Sequence, residues 1–173
     1  MEIRKGTNED VKMISQLYDE LNDYLSHHIN YSGWIKGVYP TYETAVQGIH
    51  ENNLFIALND DQIVGTVILR HIPEKGYNSV NWYNHLDYSE IFVVYTFAVH
   101  PDYLHQGIGQ EIMKFIIDYA KSMGMKAIRL DVYENNIPAI RLYESFGFQY
   151  IDTIDLGYGQ YGLDAFRLYQ LIL

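Results

Sequence analysis

The stretch Val99-His-Pro-Asp-Tyr-Leu-His-Gln-Gly-Ile-Gly109 joins an apolar run, Ile91 to Val99, to an amphipathic one, Ile108 to Met123. A strand that ends in a turn and feeds a glycine-bearing helix start presents bare backbone N–H groups and the positive end of a helix dipole. Such a junction suits an anion, for example a pyrophosphate. Two nucleotide-binding patterns fail at named positions. The dinucleotide fingerprint G-x-G-x-x-G needs a third glycine where this chain has Ile112, and a P-loop needs Gly-Lys-Ser/Thr where Gln110 and Glu111 follow Gly109. Two glycines near a helix start are common, so the junction needs support from elsewhere in the chain.

That support is the block Arg129-Leu-Asp-Val-Tyr-Glu-Asn-Asn-Ile-Pro-Ala-Ile-Arg-Leu-Tyr-Glu-Ser-Phe-Gly-Phe148, which reads as strand, turn, short helix and strand. Asn136 and Pro138 are good helix-start residues, and Gly147 is a good helix stop. Taken together, the His-Gln-Gly-Ile-Gly junction and the later Asn136-x-x-Ala139-x-x-Leu142-Tyr143-x-x-x-Gly147-Phe148 resemble the GNAT superfamily of acyl-CoA-dependent N-acetyltransferases. The resemblance spans Ile91 to Phe148. It departs from the family at one place: the loop pattern opens with Arg or Gln, and here that position is Leu104. Because backbone N–H groups supply most of the family's phosphate contacts, the loss of one side chain bears on donor affinity more than on donor identity.

Composition narrows the chemistry. The chain has 173 residues, enough for one domain with a substantial core, and no linker, repeat or low-complexity tract divides it, so residues 1–173 read as a single domain. No signal stretch or run of transmembrane length is apparent, and a cytoplasmic protein is the expectation. Cysteine is absent, which removes thiol nucleophiles, thiolate zinc sites and disulfides together. There is no G-x-S-x-G elbow and no His-Glu-x-x-His pair, so neither a serine hydrolase nor a metal site is expected. The adjacent His27 and His28 read as polar residues at a helix end. A net charge of −10 argues against nucleic acid.

The charge is uneven. Residues 1–61 hold four Lys/Arg against ten Asp/Glu, whereas residues 101–150 hold five against six. An acidic N-terminal third favours a cationic acceptor through its field. The plainer reading is that Glu9, Asp10, Asp19, Glu20 and Asp23 solvate the outer face of one amphipathic helix.

Periodicity predicts a strand at Glu2 to Lys5, and a helix capped by Thr7 or Asn8 that carries Val11, Ile14, Leu17, Tyr18, Leu21 and Leu25 at spacings of three and four. A second helix follows from Thr41 towards Glu51, and strands follow at 54–58 and 63–71 around the Asn59-Asp60-Asp61-Gln62 turn. Beyond these come strand 91–99, helix 107–123, strand 127–132, helix 138–146 and strands 148–155 and 165–172. The alternation gives an α/β protein with a mixed, mostly antiparallel central sheet and helices on both faces; the resemblance implies the GNAT fold. Two segments resist this scheme: Pro73 to Ser89, with Tyr77, Trp82, Tyr83, His85 and Tyr88, and Gly157 to Gly162, with Tyr158 and Tyr161. Their aromatics suit either the lining of an acceptor pocket or a loop anchored by its own rings, or a partner interface.

The resemblance implies acetyl-CoA as co-substrate, with no metal, and a primary amine as acceptor. By position, Tyr143 matches the residue that in many of these enzymes hydrogen-bonds the CoA sulfur and acts as acid. The plain alternative is a core tyrosine beside Ala139, Leu142 and Phe146. Asn136 maps to a contact with the pantetheine or phosphate arm, or is only a helix cap. In the family, the strand before the loop pairs its backbone with the pantetheine, here Phe97, Ala98 and Val99, whose backbone groups also serve as oxyanion donors. Leu104, His105, Gln106, Gly107, Ile108 and Gly109 then hold the pyrophosphate. No base stands out. Glu90 lies about nine residues, roughly 30 Å extended, before Val99, His71 and His85 flank the aromatic segment, and Tyr95 has the wrong ordinary pKa. A small-molecule acceptor is expected. The alternatives are a non-catalytic CoA sensor or protein-binding module, favoured by Leu104, and an enzyme acting on a protein N-terminus or lysine. The aromatic loops and final strand would support a homodimer.

Overall fold

The computed structural model describes all residues, Met1–Leu173. Seven strands, β1 (Glu2–Lys5), β2 (Leu54–Asn59), β3 (Gln62–Arg70), β4 (Ile91–Val99), β5 (Ala127–Tyr133), β6 (Gln149–Ile154) and β7 (Phe166–Ile172), hydrogen-bond in the order β1-β2-β3-β4-β5-β7-β6. Four helices accompany them: α1 (Val11–His27), α2 (Tyr42–His50), α3 (Ile108–Ser122) and α4 (Ile137–Ser145). Every expected element is present, with ends shifted by a residue or two. The sheet is mostly antiparallel: β4 and β5 form a parallel ladder, Ile91↔Ala127 to Val93↔Arg129, while β1–β2, β2–β3, β5–β7 and β6–β7 run antiparallel. No helix is long and apolar enough to cross a membrane.

The chain divides into two compact units, the first made of Met1–Asn30, Trp34–Leu69 and Tyr95–Phe115. Its core gathers Ile14, Leu17, Tyr18, Leu21 and Leu25 from α1 with Leu54, Ile56, Ile63, Ile68 and Ala98 from the strands. Burying each large aliphatic chain contributes about 1.5–3 kcal/mol before the entropy of ordering is subtracted. The buried side of α1 is therefore the face that the three-and-four spacing marked. Strand β3 is buried at every position from Ile63 to Leu69, as its nearly unbroken apolar run requires. Gly65 breaks that run for a reason of space: a Cβ there would lie 2.6 Å from Ile112 Cδ1 and 3.0 Å from the Ala98 carbonyl oxygen. Its missing side chain lets the start of α3 press close to β3.

One acidic residue departs from the expectation of a solvated helix face. Asp10 is buried, and its carboxylate accepts both Arg4 guanidinium nitrogens at 2.8 and 3.0 Å and the Thr7 amide at 2.7 Å. The Arg4 hydrogen bonds, helped by those from Thr7, pull its pKa down to about 2. Asp10 thus ties the end of β1 to the start of α1. Glu20 and Asp23 are also engaged, with His100 and Lys36.

The second unit comprises Tyr31–Gly33, Arg70–Val94 and Ile116–Leu173. Strand β5 alternates: Ile128, Leu130 and Val132 are buried on one face, and Arg129, Asp131 and Tyr133 share the other. The aperiodic stretch after β3 forms two 3-10 turns, Lys75–Ser79 and Tyr88–Glu90, which explains why neither a helical nor a strand period described it.

Candidate functional site

In the first unit, β4 ends at Val99 and the chain turns through Pro101–Tyr103. His100 organises the exit from the strand. Its backbone N–H donates to the Val64 carbonyl (2.9 Å), its Nδ1 accepts from the Asp102 amide (3.2 Å), and its Nε2 lies 2.7 Å from a Glu20 carboxylate oxygen on α1. Since Nδ1 accepts, Nε2 carries the proton and donates to Glu20. Gln106 Nε2 donates to the Asp102 carbonyl (2.8 Å), folding the loop back on itself. His105 and Gly107 take left-handed conformations, φ +62 and +83, and α3 begins at Ile108.

These two left-handed residues shape the turn into α3. They lie just before α3, whose first amides have no acceptor inside the helix. A Cβ at Gly107 would meet nothing closer than Gln110 Oε1 at 3.9 Å, so the space over the loop is open. Between Lys75 and Lys114 the sequence has no Lys or Arg, so backbone donors and the helix dipole are what the loop offers an anion. The residues present therefore fit the pyrophosphate of an acyl-CoA without a basic side chain at Leu104. A cavity of about 520 Å³ opens beside the strand exit, lined by Glu20, Asp60, Asp61, His100 and Tyr103 among others, and its acidic walls do not suit phosphate. Gly107→Val forces a β-branched residue into φ +83, and acetyl-CoA affinity measured by calorimetry is expected to fall at least tenfold, with thermal stability reduced by only a few degrees.

In the second unit, Asn136 caps α4 through its Oδ1, which accepts the Ala139 amide at 3.3 Å. Tyr143 is buried, its ring tilted against Phe148 and Tyr169 at centroid distances of 6.0 and 6.5 Å. Burial, reinforced by the charge of Asp131, pushes its phenol well above the ordinary tyrosine value, so it keeps its proton, and can donate a hydrogen bond, at any working pH. Of the residues considered as bases, His71 Nδ1 is within 3.0 Å of the Tyr88 and Ile91 carbonyl oxygens, which makes it a donor there, and the Glu90 carboxylate accepts the Asp87 amide.

The sequence reading passed over Asp131. Desolvation raises its carboxyl to about 6 against the opposing hydrogen bond donated by Tyr77 Oη (2.7 Å to Oδ2), and the nearby Glu74 charge adds to the rise. Counted over all its atoms, the residue is half-buried rather than fully enclosed. A carboxyl that changes charge near pH 6 is well matched to taking a proton from an amine. The sequence does carry a signal for it: Arg129 and Asp131 are charged residues at alternate positions of an otherwise apolar strand.

The aromatic insertion is fixed to the same face of β5. Arg129 is buried, with its guanidinium 4.0 Å from the Trp82 ring centroid and 5.2 Å from that of Tyr88. It donates to Gln170 Oε1 (2.8 Å) and Tyr88 Oη (3.0 Å). Trp82 Nε1 donates to the Tyr77 carbonyl. Tyr77, Trp82 and Tyr88 are thus anchors, whereas Tyr83 is 70% exposed. In the glycine-rich segment, Tyr158 packs edge-on against Phe166.

The protein is α/β, with a left-handed turn leading from its fourth strand into α3. The sequence profile of the acetyltransferase (GNAT) family matches residues 14–148, and the chain belongs to that family. It is 40% identical to the ribosomal protein bS18-alanine N-acetyltransferase of Escherichia coli over 55 residues, 32% of this chain and 37% of that one. It is also 40% identical to a spermine/spermidine N(1)-acetyltransferase of Bacillus subtilis over 60 residues, 34% of this chain and 40% of that one. The chain thus spans less than half the length of these curated relatives. The crystal structure of a GNAT-family acetyltransferase from Streptococcus agalactiae shares the fold, with a TM-score of 0.82 at 16% identity over 99% of this chain and 95% of that one.

Proposed function

We propose that residues 1–173 form one N-acetyltransferase domain that moves an acetyl group from acetyl-CoA directly to a primary amine. The observation that carries this reading is the left-handed His105/Gly107 turn that opens α3, in a chain of the GNAT family. Leu104 to Gly109 hold the pyrophosphate through backbone amides, and the backbone of Phe97, Ala98 and Val99 holds the pantetheine arm. Acetyl-CoA supplies the thioester whose carbonyl carbon the amine attacks. Asp131 accepts the proton the amine gives up as the C–N bond forms. Tyr143 donates a hydrogen bond to the sulfur as the C–S bond breaks and so stabilises the thiolate, which takes its proton from the solvent, to which Asp131 returns the one it accepted. Asn136 sets the start of α4 and with it the placement of Tyr143.

A small amine is favoured over a protein acceptor because Tyr77, Trp82 and Tyr88 fix the insertion against the face of β5 that carries Asp131. An insertion held against that face suits a small acceptor better than a folded chain. The test is thiol release on mixing acetyl-CoA with a panel of polyamines, amino acids, aminoglycosides and N-terminal peptides. Turnover with a small amine supports the reading. Folded protein that binds no acetyl-CoA in a calorimeter sinks it, and turnover confined to peptides overturns the choice of acceptor.

A further inference from the structure

Thr96 is the oddest residue in the first unit. It lies inside β4 yet has φ +47, and for a β-branched side chain that is a genuine outlier. Such a conformation lasts only where the surroundings over-determine it, and such positions cluster at functional sites. Here the surroundings are a buried polar cluster. Tyr39 Oη is hydrogen-bonded to Thr96 Oγ1, and Thr66 Oγ1 lies 3.5 Å from the Thr96 carbonyl oxygen and 3.2 Å from Tyr18 Oη. Thr96, Thr66 and Tyr18 are all at most 5% exposed.

The segment that carries Tyr39 is itself held. Asn22, buried on α1, donates through Nδ2 to the Tyr39 and Pro40 carbonyls at 3.3 Å each. The Tyr39 ring stands edge-on to Trp34, 5.6 Å between centroids. A polar contact from the α1–α2 connection thus reaches the one residue of β4 whose backbone has turned over. Turning one residue into the left-handed region rotates the peptide planes that follow it, and those belong to Phe97, Ala98 and Val99.

We infer that Tyr39 is a positioning residue: by holding Thr96 in its left-handed conformation, it aims the backbone amides of Phe97 to Val99 at the donor. The inference rests on the acetyl-CoA reading above. Tyr39 touches neither donor nor acceptor in this role. It acts only through Thr96, and this makes the idea separable from a general loss of packing.

The test is a double-mutant cycle in the full chain, reading kcat, KM for acetyl-CoA and Tm. Tyr39→Phe is expected to lower kcat/KM for acetyl-CoA about tenfold with Tm nearly unchanged, and Thr96→Val, which deletes the other half of the contact, is expected to reproduce it. Glycine takes positive φ without a Cβ penalty. In a Thr96→Gly background, Tyr39→Phe is therefore expected to change kcat/KM less than twofold. An equal tenfold loss in both backgrounds overturns the inference, as does an unchanged Tyr39→Phe enzyme. If the wild-type protein binds no acetyl-CoA, the donor reading falls and the inference with it. If the wild type binds and turns over while the cycle shows no coupling, the inference alone falls.

Discussion

Tyr143→Phe is expected to lower kcat about a hundredfold while acetyl-CoA affinity stays within about threefold of the wild type. The substitution removes one hydroxyl and keeps the ring that packs on Phe148 and Tyr169, so the fold should hold its Tm to within a few degrees. The size of the effect follows from the reaction. On the proposed mechanism the departing thiolate needs a hydrogen-bond donor, and a phenol held protonated by burial and by the Asp131 charge provides one without titrating away. Because the donor is needed only as the C–S bond breaks, kcat should carry the loss rather than binding. Stopped-flow thiol release and calorimetry with acetyl-CoA separate the two. A variant with wild-type kcat would return Tyr143 to the status of a core tyrosine.

Asp131→Asn is expected to have two opposite effects. Activity should fall a hundredfold or more at pH 8, and the decline of wild-type kcat/KM below about pH 6 should disappear from the residual rate. Stability should rise. The folded protein holds the Asp131 proton more tightly than the unfolded chain does, so the fold pays nothing for this group below the ordinary carboxylate range. The cost grows as pH rises through about 6 and is complete above it. Asparagine is neutral throughout and can still accept the Tyr77 hydroxyl. At pH 8 the variant should therefore gain on the order of 1–2 kcal/mol, a few degrees in Tm, with the gain vanishing towards pH 4. Calorimetric scans at the two pH values check this, and a loss of Tm at pH 8 would mean that Asp131 is a structural carboxylate rather than a poised base.

What the sequence disclosed about these two residues differs for a physical reason. Tyr143 sits in a run of contiguous motif residues, and the strand, turn and helix around it are set by local patterns: the Asn136 cap, Pro138 and Gly147. Asp131 owes its properties to Tyr77 and Glu74, more than fifty positions earlier. Alternation along β5 could have flagged it; nothing local could have given its pKa. The same division runs through the fold. The period of α1 and the β4–α3 junction were legible because repeating side chains and turn residues dictate them. Residues 73–90 were not, because 3-10 turns held by ring contacts have no period to read. Asp10 was misjudged because its partner, Arg4, lies on the strand before the helix.

The burial of Arg129 constrains how this protein can change over generations. Its charge is stabilised by two aromatic faces, a tyrosine hydroxyl and an amide rather than by a carboxylate, so losing Trp82 or Tyr88 singly strands a cation in the interior. Drift in the insertion is thereby channelled to positions that leave those anchors alone, such as Tyr83 and His85, both exposed. Paralogues that acquire new acceptors by single steps should differ at those exposed positions first, and wholesale replacement of the segment should come only together with a change at Arg129.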